Sequence, residues 1–146
     1  MDICVYLYID MVKNHVNFEV SLFTALFLGK CSENSGSEFV KHIDDFDEKM
    51  AHFVGAVSLC LAQSISVTQY GGVTVYTQCE KGNSKCSMKG NNCGHQSKDI
   101  YLSHLESVFV PAEMYHKSIY PNNGTQLNLV MFFVRTTPPE NITKRR

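Results

Sequence analysis

Residues 2–12 (DICVYLYIDMV) alternate and are rich in Val, Ile and Tyr, which predicts a strand. Residues 15–28 (HVNFEVSLFTALFL) alternate too, with Val16, Phe18, Val20 and Leu22 on one face, so Lys13-Asn14 reads as a tight turn between two antiparallel strands. SLFTALFL is short enough that a helix stays open for the second half of that segment. GKCSENSGS (residues 29–37) then breaks the pattern as a polar loop.

The clearest helical spacing follows. Phe46, Met50, Phe53, Val54, Val57 and Leu61 recur at steps of three and four, which predicts one main helix over about residues 45–62. Asp45 is placed to cap it, with Glu48 completing a capping box. The acidic cluster Asp44, Asp45, Asp47 and Glu48 complements the positive end of that helix, and it lacks the glycine and distal glutamate of a calcium loop.

From Ser64 the chain returns to strand chemistry. SISVTQY, Gly71-Gly72 and VTVYTQ read as a hairpin, and residues 100–111, 114–121 and 126–134 are three further strand candidates. The pattern predicts an α+β fold: a mainly antiparallel sheet or sandwich of about seven strands, with the helix packed on it. Residues 1–136 read as a single β-rich domain, and residues 137–146, interrupted by Pro138-Pro139, as a flexible tail.

Composition narrows the function classes. With 44% hydrophobic and 18% charged residues in a chain of 146, the sequence is that of one globular domain. Lys and Arg number 13 against 14 Asp and Glu, so no bulk positive field draws the chain to nucleic acid. The longest apolar run, Val20 to Leu28, falls well short of the roughly 20 residues of a membrane-spanning helix. Asp2 and Glu19 argue against a signal peptide, which favours a soluble intracellular protein over a secreted one. The sequons Asn123-Gly124-Thr125 and Asn141-Ile142-Thr143, and the even count of six cysteines, pull the other way.

Two constellations carry candidate chemistry. CEKGNSKCSMKGNNCGH places Cys79, Cys86, Cys93 and His95 in glycine-rich surroundings, with donor types suited to zinc. The spacing lacks the close cysteine pairs of zinc knuckles, so a disulfide from Cys79 to Cys93 and unmodified thiols stand beside the metal reading. Lys81, Lys85, Lys89 and Lys98 give the same loop positive charge and make it a candidate binding loop. Second, His104 and Glu106 share one face of an expected strand and His116 follows on the next, an arrangement that can hold iron facially.

No G-x-S-x-G elbow, phosphate-binding glycine loop or H-E-x-x-H helix occurs, and Cys60, between Leu59 and Leu61, reads as core. These features point to a non-enzymatic binding or structural module that acts through protein–protein contacts and displays residues 79–98. It takes no cofactor other than a candidate zinc ion, and no catalytic residue is assigned. Self-association is expected because VYLYI and LVMFFV look apolar on both faces. The competing class is a metal-dependent enzyme or zinc-stabilised module built on one of the two constellations.

Overall fold

In the computed structural model, residues 2–31, 44, 52–76 and 96–136 are described. They form one helix, α1 (Asp2–Val16), and seven strands: β1 (Val20–Cys31), β2 (Phe53–Gln63), β3 (Gly72–Tyr76), β4 (Ser97–Tyr101), β5 (Ser107–Pro111), β6 (His116–Ile119) and β7 (Thr125–Arg135). The strands make two antiparallel sheets, one ordered β1-β7-β2-β5 and the other β4-β3-β6. The α+β class therefore stands. The chain crosses from one sheet to the other after β2, β4, β5 and β6, which interlocks the two layers.

The position of the helix is corrected. Residues 2–16 are helical where a strand was expected, because Tyr8, Ile9, Val12 and Val16 also recur at helical steps and all pack on the core, with Val12 fully buried. The helix ends at Asn17, whose φ of 59° and N–H bond to the Lys13 carbonyl (2.8 Å) form a left-handed cap. Conversely, residues 53–62, assigned to the main helix over 45–62, lie in strand β2, and residues 45–51 lie outside the described residues.

Both faces of β2 are covered, so its apolar residues do not alternate cleanly with polar ones. Val57 and Leu59 join Met131 and Phe133 of β7, Val20 of β1 and Val12 of α1 in the hydrophobic core beneath the helix. Gly55 lies where β2 passes β5, and a Cβ there would meet the Phe109 ring and the Val110 carbonyl.

β7 runs between β1 and β2, its Met131 and Phe133 facing the core and Phe132 ring-stacked with Phe53 at 6.1 Å. VYLYI belongs to α1, where Tyr6 and Leu7 are exposed, rather than to a strand covered on both faces. Among the described residues no helix is long and apolar enough to cross a membrane.

Candidate functional site

One end of the face of the four-stranded sheet turned away from α1 is polar, and it is buried. Lys30 on β1, Gln126 and Asn128 on β7, and Cys60 on β2 are each no more than 3% exposed. Lys30 sits opposite Gln126, and Asn128 opposite Cys60, in the strand register. The Gln126 amide donates to Asn128 Oδ1 (3.0 Å), Asn128 Nδ2 donates to Ser58 Oγ (3.1 Å), and Gln126 Oε1 accepts from the Gly71 N–H (2.8 Å). This chain of bonds tethers the larger sheet to the start of β3.

Lys30 completes the row. Its ammonium donates to the Gly72 carbonyl (2.9 Å), and burial lowers its pKa to about 8. The same burial raises the thiol pKa of Cys60. A buried cation bonded to a neutral carbonyl is an energetically open position that an incoming anion would complete.

A second polar group lies further along β3. His116 opens β6 and pairs with Val75, three residues beyond the Gly72 that Lys30 contacts, or about 10 Å along the strand. Its Nδ1 stands 3.0 Å from the Met114 carbonyl, an acceptor, so Nδ1–H is the donor of that bond. Nε2 faces Asp44 Oδ1 at 3.7 Å, with the two side chains only 13% and 17% exposed. That gap is too wide for a hydrogen bond and shorter than two metal–ligand bonds of about 2 Å laid end to end. An imidazole oriented through its other nitrogen, beside a carboxylate, supplies two of the donor types that first-row transition metals take.

The expected trio of His104, Glu106 and His116 is not assembled. His104 and Glu106 lie in the turn between β4 and β5, where Leu105 takes a φ of 64°. The Glu106 carboxylate accepts the Ser103 N–H (2.8 Å), the main cause of its lowered pKa, and is exposed. That turn is held by backbone bonds from Leu105 N to the Cys60 carbonyl (2.8 Å) and from Cys60 N to the Glu106 carbonyl (3.0 Å). Among the described residues, no three His, Cys, Asp or Glu side chains form a group that could hold a metal ion.

Cys79, Cys86, Cys93 and His95, with Lys81, Lys85 and Lys89, lie outside the described residues. Lys98 is exposed on β4. Among the described residues there is no disulfide, and Cys60 is a buried thiol. The sequence reading had assigned Asp44 to a helix cap and Lys30 to a polar loop; Gln126 and Asn128 were hidden inside an apolar strand pattern. The available signal for Asp44 was its place in His42-Ile43-Asp44, an imidazole and a carboxylate two residues apart.

No protein-family model matches the chain, and no curated protein matches it in sequence. A solved structure does: the nickel complex of the non-heme monooxygenase ThoJ, with a TM-score of 0.58 at 15% identity over 88% of this chain. The chain spans about half that protein's length, 49%. The likeness is one of fold, and the protein that shares it is an enzyme. The expectation of a non-enzymatic module acting through protein–protein contacts is therefore corrected.

Proposed function

We propose that the chain is a metal-dependent oxygenase that uses His116 and Asp44 as two ligands of a divalent non-heme iron, with His42 as the third. The observation that carries this reading is the 3.7 Å approach of His116 Nε2 to Asp44 Oδ1, with Nδ1 directed at the Met114 carbonyl. The fold shared with a non-heme monooxygenase supports it. His42 is assigned from sequence alone: it stands two positions before Asp44, and two histidines with one carboxylate are the usual facial set for iron.

What such a site supplies when loaded is activation of molecular oxygen for insertion of one oxygen atom into an organic substrate, with a co-substrate giving two electrons as the second atom leaves as water. The chain's own contribution is positional. The Met114 carbonyl holds the His116 ring in one tautomer. Lys30 offers its ammonium to an anionic co-substrate, and the Gln126–Asn128–Ser58 bonds keep the surrounding wall rigid.

The test is iron content and oxygen uptake of the protein loaded with ferrous iron under anaerobic conditions, then exposed to oxygen. One equivalent of iron in the native chain, lost in Asp44→Ala, His116→Ala and His42→Ala, is the expected result. Equal iron content in the native chain and in folded variants would overturn the reading.

A further inference from the structure

The edge of the larger sheet next to the end of α1 carries a cavity of about 280 Å³. Its walls come from α1, β2, β5 and β7 and from the residues that flank them. Val16 ends α1, Phe18 precedes β1, Phe53 and Val54 open β2, and Pro111 closes β5. The chain brings them together through backbone bonds from Arg135 N to the His52 carbonyl (2.8 Å) and from Ala112 N to the Val54 carbonyl (3.0 Å).

Three polar side chains interrupt this apolar lining, Arg135, His52 and, at the rim, Glu113. The Arg135 guanidinium lies over the Phe18 ring, 4.4 Å from its centre, which fixes the plane of the fork. Arg135 Nε and His52 Nδ1 are both buried without a hydrogen-bond partner. A buried guanidinium nitrogen with no acceptor is rare in a folded chain, because the desolvated donor costs about 1–3 kcal/mol or more. A carboxylate is the group that a guanidinium fork matches best. Glu113, exposed on the rim, sets a limit: its charge repels a ligand that carries a second anionic group.

We infer that this cavity binds a small apolar monocarboxylate, its hydrocarbon body on Phe18, Val54 and Pro111 and its carboxylate on Arg135. The volume lies just below the roughly 300–1,000 Å³ of sites for drug-sized ligands, so the occupant is of single-ring or short-chain size. The site also touches the turn that orients His116: Ala112 and Glu113 line it, and Met114, next in the chain, donates its N–H to the Pro111 carbonyl (3.0 Å) while its own carbonyl accepts from His116. The inference does not depend on a metal at His116.

Benzoate titrated into the full metal-free chain, followed by calorimetry and ligand-observed NMR, tests it against the neutral isostere benzamide and the dianion phthalate. Benzoate is expected to bind at least about tenfold more tightly than either, the effect of one charge-assisted hydrogen-bond pair. Arg135→Met should remove the preference for benzoate over benzamide. Glu113→Gln, an exposed change with little risk to folding, should bring phthalate to within about threefold of benzoate. Benzoate failing to bind, binding no better than benzamide, or an unaltered phthalate affinity in Glu113→Gln would each overturn it.

Discussion

His116 and Asp44 come from distant parts of the chain and meet with Nε2 and Oδ1 3.7 Å apart, both mostly shielded from water. If they are the metal ligands proposed above, metal binding should appear as added stability. At a free-ion concentration about one hundred times the dissociation constant, the gain is about 2.7 kcal/mol. In a chain of this size that corresponds to a rise in melting temperature of roughly 6–10 °C. Nickel or ferrous iron should therefore raise the melting temperature of the native protein and leave His116→Ala and Asp44→Ala unmoved, as read by differential scanning fluorimetry.

Lys30 gives a pH dependence of definite sign. Its pKa is lowered by burial from 10.5 to about 8, so between those values the unfolded chain holds a proton at this position that the folded chain has released. Stability contributed by this group therefore rises with pH through that window, and below it the buried charge costs about 3 kcal/mol. Lys30→Met removes the dependence. Urea unfolding at about pH 7 and about pH 10.5 should show the native-minus-variant difference rising by on the order of 2–3 kcal/mol in favour of the native chain. A flat difference would mean that water reaches the ammonium.

Gln126 is bonded on both sides of its amide, to the Gly71 N–H and to Asn128 Oδ1, and is 1% exposed. Gln126→Leu keeps the volume but strands a buried N–H and a buried acceptor, at about 1–3 kcal/mol each. Chemical denaturation should give a loss of about 2–5 kcal/mol. Gln126→Glu, which still accepts from Gly71, should retain part of that bond but set its carboxylate against Asn128 Oδ1. It should be intermediate.

These residues show where the sequence was legible. β6 and β7 stood out because each is bounded by Pro or by Asn-Asn-Gly, and Asn123 and Gly124 adopt positive φ at the turn into β7, whereas residues 100–111, read as one strand, are divided by the turn at His104-Leu105 into the end of β4 and β5. The helix was misplaced because α1 and β2 each carry two periods at once. Val57, Leu59 and Leu61 alternate as a strand should, while Phe53, Val54, Val57 and Leu61 also fit a helix; only Gly55, poor in a helix interior by roughly 1 kcal/mol, marked the difference. The candidate site was less legible. His116 was singled out but given Glu106 as its carboxylate, since sequence proximity favours a hairpin neighbour, whereas the crossings between sheets bring Asp44 to it from far earlier in the chain.

Gly72 tests whether the two polar groups depend on one backbone. Its carbonyl receives Lys30, and its α-carbon lies so close to the neighbouring strand that a Cβ would run into the carbonyl of Ile100, a backbone atom that cannot swing aside. Gly72↔Tyr101 and Gly72↔Ile119 are both paired positions, so β3 has to move away from β4 or β6 to admit a methyl group. Overpacking of this kind costs about 1–3 kcal/mol where side chains can adjust, and more where only backbone can. Gly72→Ala should therefore destabilise the fold by about 3 kcal/mol or more. Because His116 pairs with the same strand at Val75, the variant should also lose most of the melting-temperature rise on metal addition while keeping every proposed ligand. Full retention of that rise in a destabilised Gly72→Ala protein would show that the His116–Asp44 pair is held independently of the β3 end that carries Lys30.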